Sequence, residues 1–213
     1  VTEQVTLVID GRELRAPRGE RILWVALDAG IDLPNLCATR GREPPFGACR
    51  LCWVEIEGRP RPVTSCTAFA ADGLVVRTRS ERVDRLVASA FAMLMSHHNV
   101  DCGHCPARRR CGLRRIAQAR KLRIRQNRFP QLELHGIVDD SHPVLRLDPT
   151  RCILCGRCVD ACQTRGRGVL DFARRGLETV ISTSGGRPLG EAGCADCSAC
   201  ADVCPVGALA RKT

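Results

Sequence analysis

Hydrophobic and polar positions change period several times along the chain, and each change predicts an element. Val5-Thr-Leu-Val-Ile9 alternates imperfectly but is β-rich, Asp10-Gly11 reads as a hairpin turn, and Arg12–Ala16 returns. From Glu20 to Ala29 the period becomes helical: Ile22, Leu23, Ala26 and Leu27 share a face, and Gly30 can end the helix. Trp53–Ile56 reads as a strand, Glu57–Pro60 as a turn, Val63–Cys66 as its return, and Leu74–Thr78 as a last strand after Asp72-Gly73. Ser80 is placed to cap a helix whose apolar face is Val83, Leu86, Val87, Ala90, Phe91 and Leu94, with Met93 and Met95 read as packing.

Beyond that helix the pattern weakens. Gly112–Gln126 predicts an arginine-dense helix with a short apolar face of Leu113, Ile116 and Ala117. Residues 127–143 read as an extended linker punctuated by Pro130, Gly136 and Pro143. Val144–Leu147 is a short strand, and Val169–Phe172 and Leu177–Ile181 can pair across Ala173–Gly176. Ala199–Val203 and Val206–Ala210 read as small helical pieces around Cys204-Pro205. The sum is an α+β chain in three parts. Residues 1–78 have the hairpin–helix–loop order of a β-grasp domain, 79–143 are helical with a linker, and 144–213 form a cysteine-rich C-terminal domain.

The cysteines give these parts their chemistry. Cys152-x2-Cys155-x2-Cys158-x3-Cys162 recurs as Cys194-x2-Cys197-x2-Cys200-x3-Cys204-Pro205. This is the ligand spacing of a bacterial two-cluster ferredoxin, in which the fourth cysteine of each run serves the other [4Fe–4S] cluster. The predicted sets are Cys152, Cys155, Cys158 with Cys204, and Cys194, Cys197, Cys200 with Cys162. Near the N-terminus, Cys37, Cys49, Cys52 and Cys66 resemble the plant-type [2Fe–2S] spacing with a longer first gap, in an insertion that Gly41, Pro44, Pro45 and Gly47 make loop-like rather than helical. Between them lie Cys102, Cys105 and Cys111, one ligand short of four. His98, four positions before Cys102, completes the set, because imidazole can replace thiolate on iron. His97 and His104 read as surface or supporting residues. Structural zinc is the competing reading of each four-ligand group, the middle one above all.

The chain has 213 residues and 15 cysteines, with aromatics at 3%, so its stability must draw on something besides an aromatic core, and bound metal can supply it. No apolar run of about 18 residues occurs, and Val1-Thr-Glu-Gln has neither a basic nor an apolar leader segment. A reducing, cytoplasmic setting follows as the expectation, with the cysteines as ligands. The formal charge of +10 raises nucleic acid as a partner, through the run from Arg108 to Arg128. Four oxidised clusters with their thiolates would carry roughly −7, which offsets most of it, and aromatic platforms for RNA are not evident. No G-x-G-x-x-G follows a strand, Asp171 standing where Gly166-x-Gly168 would need its third glycine. No NAD or FMN site is expected, and no catalytic constellation is present.

In order, Cys37, Cys49, Cys52, Cys66, then His98, Cys102, Cys105, Cys111, then the double run account for every cysteine. That series resembles the N-terminal cluster region shared by the large iron–sulfur subunit of complex I, iron-only hydrogenases and some NAD-dependent formate dehydrogenases. A free-standing chain of this length resembles the small diaphorase subunits of cytoplasmic NAD-reducing nickel–iron hydrogenases. The resemblance implies one [2Fe–2S] and three [4Fe–4S] clusters and an electron-relay role. Its implied partners are an NADH- and FMN-binding flavoprotein and the hydrogenase small and large subunits, with no nucleic acid and no membrane insertion.

Overall fold

The structure is a computed structural model that describes residues 3–125, 128–132, 136–194 and 197–212. The chain forms two compact units, Val1–Phe91 and Ala92–Thr213. In the first, β1 (Gln4–Ile9) and β2 (Arg12–Pro17) make the expected hairpin. Asp10 and Gly11 both take positive φ, 49° and 80°, the backbone that a two-residue turn matched to strand twist requires. The Asp10 carboxylate also accepts hydrogen bonds from the Thr78 amide and hydroxyl, which pins the turn to the end of the last strand. α1 (Ile22–Asp28) follows, then β3 (Trp53–Ile56), β4 (Val63–Thr64) and β5 (Val75–Arg77). The sheet order is β2-β1-β5-β3-β4, with β1 and β5 parallel and the other neighbours antiparallel.

The core explains the uneven alternation of the first strand. Val5, Leu7 and Ile9 point inward and are buried, whereas Val8 lies on the opposite, half-buried face, where it pairs with Val75. Ile22, Leu23 and Ala26 of α1 pack with them and with Val54, Ile56 and Val76.

α2 (Glu81–Ser96) carries the chain into the second unit. Its first turn is closed by Ser80, whose hydroxyl accepts from the Val83 amide at 3.1 Å, and Glu81 and Asp84 complement the positive end of the helix. α3 (Gly112–Ala119) is shorter than the expected 112–126. Lys121 turns left-handed at φ 54°, the Leu122 amide donates to the Ala117 carbonyl, and the Lys121 amide donates to Gln118. This is a Schellman closure made without glycine, so the composition did not announce it. Gln126, Asn127 and residues 133–135, the end of the expected helix and part of the expected linker, lie outside the described residues.

The rest of the expected linker is tied down. Asp139 bridges Leu147, and its carboxylate accepts from the amides of Ser141 and Leu189. β6 (Leu145–Leu147) pairs antiparallel with β9 (Leu209–Arg211), which occupies part of the stretch read as the helical piece Val206–Ala210. A strand wins there because Leu209 and Ala210 gain both a partner strand and a buried face. β7 (Leu170–Ala173) pairs with β8 (Val180–Thr183), and a short 3-10 turn at Gly176–Glu178 takes the start of the expected second strand. α4 (Arg157–Arg165) and α5 (Ala199–Val203) follow matching left-handed residues, Gly156 at φ 79° and Ser198 at φ 53°, so the repeat in the sequence is also a repeat in backbone shape.

Gly207 sits at φ 77°, and a methyl group there would lie 2.8 Å from the Ala107 Cβ and 3.0 Å from the Ala107 nitrogen. Replacing Gly207 with Ala is expected to destabilise the second unit by about 1–3 kcal/mol through backbone strain and overpacking. Thermal unfolding followed by loss of visible absorbance would measure it, and an unchanged midpoint would contradict this packing.

Candidate metal centres

The first unit buries Cys37, Cys49, Cys52 and Cys66 together. The Cys37 and Cys49 sulfurs stand 3.4 Å apart, and the Cys49 amide donates to the Cys37 sulfur. Hydrogen bonding to Cys37 holds the Cys49 thiol down at about 6 and drives Cys37 up in return. Cys52 and Cys66 form a second such pair, with Cys52 pushed up and Cys66 held down by their mutual hydrogen bond. The cysteine loop bends at Gly41, Gly47 and Arg50, all at positive φ. Arg21 holds its far side, donating through Nε to Glu43 at 2.9 Å and through Nη1 to the Thr67 carbonyl.

The second unit contains three cysteine-walled hollows. His98, Cys102, Cys105 and Cys111 line one. Cys152, Cys155, Cys158 and Cys204 line another. Cys162, Cys194, Cys197 and Cys200 line the third. Each group of four grouped by spacing is brought around one hollow. Among the described residues, no three His, Cys, Asp or Glu side chains close on a point that would hold a single ion. The donors are soft sulfurs plus one imidazole, the set that iron–sulfur clusters take.

Shared elements link the hollows. α4 supplies Cys158 to one and Cys162 to the next, four residues apart and so about 6 Å along the helix axis. The Cys105 thiol donates to the Val206 carbonyl at 3.7 Å, and Val206 lines the Cys152 hollow. His98 is buried, and its Nδ1 lies 2.9 Å from the Arg151 carbonyl oxygen, one residue before Cys152. A carbonyl only accepts, so Nδ1 carries the proton and Nε2 keeps its lone pair. Burial also holds the His98 pKa down, favouring the neutral ring that binds metal. His104 is exposed and hydrogen-bonded to Asp101 at 3.0 Å, outside the hollow. His97 is half-buried and does not line it.

Part of the arginine run is spent on backbone carbonyls. Arg110 reaches the Ala201 carbonyl at 3.2 Å, Arg114 the Arg108 carbonyl at 2.9 Å, and Arg120 is buried.

Residues 2–81 match the family described as 2Fe-2S iron-sulfur cluster binding domain, and residues 151–208 match 4Fe-4S dicluster domain. The chain is 35% identical over 209 residues to NADPH-Fe(3+) oxidoreductase subunit alpha of Geobacter sulfurreducens, covering 98% of this chain and 24% of that protein. It is 34% identical to NADP-reducing hydrogenase subunit HndD of Solidesulfovibrio fructosivorans, over 96% of this chain and 36% of that one. The chain thus spans roughly a quarter to a third of the length of these curated relatives. A chain in a crystal structure of NAD+-reducing [NiFe]-hydrogenase in the H2-reduced state superposes with a TM-score of 0.88 at 35% identity, covering 98% of this chain and 88% of that one. The chain belongs to the same iron–sulfur protein family as that hydrogenase chain.

As a member of this family it carries a 2Fe-2S domain at its N-terminal end and a 4Fe-4S dicluster domain at the other. Among the described residues, no helix is long and apolar enough to cross a membrane. Two residues beside the hollows escaped the sequence reading. Neither Arg151 nor Asp148 has a role assigned from the sequence. In fact the Asp148 carboxylate accepts from the Thr150 amide and from Arg151 Nε at 2.9 Å, fixing the backbone just before Cys152. The only signal available was their position next to a cysteine run.

Burial pushes the Cys152 and Cys200 thiols up to about 12 and raises Cys111 and Cys158 as well. In the cluster-free chain these groups are therefore neutral at pH 8, and iron binds thiolate. Loading must expel their protons, so cluster uptake is favoured as pH rises toward the thiol pKa and opposed as pH falls. Anaerobic reconstitution in weak buffer at pH 8 is expected to acidify the solution. No proton release would mean that these thiols do not become ligands.

Proposed function

We propose that this chain is the iron–sulfur electron-relay subunit of an NAD-linked nickel–iron hydrogenase, working between an NADH- and FMN-binding flavoprotein and the hydrogenase small and large subunits in the cytoplasm. The observation that carries this reading is the extent of the likeness to the hydrogenase chain, 98% of this chain and 88% of that one.

In this reading the chain has three cluster-binding parts, 1–78, 79–143 and 144–213. Cys37, Cys49, Cys52 and Cys66 hold a [2Fe–2S] cluster. Three [4Fe–4S] clusters are held by His98 with Cys102, Cys105 and Cys111; by Cys152, Cys155, Cys158 and Cys204; and by Cys162, Cys194, Cys197 and Cys200. When bound, these groups supply one-electron carriers of low potential. The chain's own work is to bind, orient and keep out water. Thiolates grip the metal, and α4 reaches two hollows with one helix, so those sites keep a fixed spacing. Leu147, Ile153, Ile181, Val206 and Leu209 wall the Cys152 hollow with apolar surface, which lowers the local dielectric. Arg151 holds the His98 ring in the tautomer that presents Nε2. No residue of the chain is assigned to hydride or hydrogen chemistry, which belongs to the partner subunits.

A second reading keeps the relay and changes its partner. It is favoured by 35% identity over 212 residues to a chain of the NADH-quinone oxidoreductase of Mycobacterium bovis. Elemental analysis of the native complex captured with this chain separates the two. Nickel with excess iron is the expected result. Iron without nickel points to a complex I-like assembly, molybdenum or tungsten to a formate dehydrogenase, and zinc without iron would sink the iron–sulfur assignment.

Two variants test the relay within the complex. Replacing His98 with Ala is expected to remove one cluster's worth of iron and one [4Fe–4S] signal while the others persist, and unchanged iron and spectra would remove His98 from the ligand set. Replacing Cys158 with Ser is expected to lower hydrogen-driven NAD+ reduction by at least tenfold and to leave dye reduction at the hydrogenase subunits largely intact. Equal loss of both activities would argue for a general assembly role instead.

A further inference from the structure

Arg151 stands at the junction of two hollows and is used from both ends. Its carbonyl accepts the His98 Nδ1–H at 2.9 Å, and its chain neighbour Cys152 lines the next hollow. Its side chain is buried, with the whole residue 9% exposed. Nε donates to Asp148 at 2.9 Å, and Nη2 lies 3.5 Å from the Asp101 carboxylate. Nη1 is buried and, among the described residues, has no hydrogen-bond partner. An unpaired buried guanidinium N–H is costly, on the order of 1–3 kcal/mol. Such a group is explained when something other than the protein satisfies it.

The surroundings say what that would be. Arg151 and Cys105 wall the same cleft, and Cys105 belongs to the His98 set. Two arginines line the His98 hollow itself, Arg108 and Arg114, but both are exposed and therefore screened by solvent. Arg151 reaches this centre through the cleft it shares with Cys105, and it is buried.

We propose that Arg151 is the positioning and potential-setting residue of the His98 centre, its carbonyl fixing the imidazole and its buried guanidinium beside Cys105 making that centre easier to reduce. The inference rests on the cluster assignment given above. An added electron increases the negative charge on cluster and thiolates. A fixed positive charge with an unpaired N–H beside that region stabilises the reduced form more than the oxidised form. The carbonyl contribution survives substitution of the side chain, so the two roles can be separated.

The test is a redox titration of the cluster-loaded complex followed by electron paramagnetic resonance. The His98 centre is identified as the signal lost when His98 is replaced by Ala. With Arg151→Gln, that one midpoint is expected to fall by the equivalent of at least tenfold in the one-electron equilibrium, 59 mV, with iron content unchanged. Arg108→Gln and Arg114→Gln are expected to move it by less than half as much. If no midpoint moves, or if all of them move together, or if the exposed arginines matter equally, the proposal fails. Should Arg151→Gln not load its clusters, a second measurement decides. With arginine carrying 15N in the guanidinium, the reduced His98 centre of the unaltered complex should show a nitrogen coupling that Arg151→Lys removes. A coupling that persists in Arg151→Lys, or none at the outset, overturns it. Absence of any cluster signal in the unaltered complex would instead overturn the cluster assignment itself.

Discussion

Buried sulfur is the constraint on which this chain depends. A neutral thiol packs as a small apolar group, but the thiolate that iron requires is costly to bury. The shifts at Cys152 and Cys200, up to about 12, express that cost directly. The hollows are therefore sites that the bare protein cannot fill favourably with charge, and that a bound cation-bearing group can. With few aromatic residues available, the elements around them are short: α5 has five residues, and β6 and β9 have three each. Elements of this length do not hold themselves. Their order comes from what lies between them.

This is why so much was legible in the sequence. The spacing of Cys152, Cys155 and Cys158 is short-range geometry, fixed by a few backbone angles, and it carries over to the fold whatever surrounds it. Asp10-Gly11 and Ser80 were legible for the same reason, since a turn and an N-cap are decided within three or four residues. Contacts between distant segments were not. Nothing local says that Lys121 will close α3 in place of glycine. Nothing local says that the stretch after Cys204-Pro205 will find β6 and become a strand. Arg21 reaching Glu43 and Thr67 across 22 and 46 residues is likewise a product of the assembled loop.

The candidate sites divide in the same way. The double run repeats one spacing and could be grouped from the sequence, whereas His98 joined its group only as the donor that makes up a set of four. The state of the donors could not be read in this way. That Nδ1 of His98 carries a proton follows from a carbonyl 53 residues away, and burial is what favours the neutral ring. That Arg151 is buried with one N–H unpaired follows from Asp148 and Asp101 claiming the other edges of its guanidinium.

The basic excess of the chain takes its meaning from these contacts. A formal charge of +10 on a nucleic-acid protein would be displayed on one accessible face. Here Arg110 reaches the carbonyls at the end of α5, Arg114 binds the backbone of its own loop, and Arg151 is buried beside Cys105. Among the described residues, four arginine–aromatic contacts, including Arg21 over Phe69 at 3.7 Å and Arg42 over Phe46 at 3.9 Å, lie in the first unit around the Cys37–Cys66 region. Arginine suits this work because its fork can hold a carbonyl or a carboxylate while its plane rests on a ring. Positive charge distributed in this way is drawn into contacts within the chain, with carbonyls and aromatic rings as its partners.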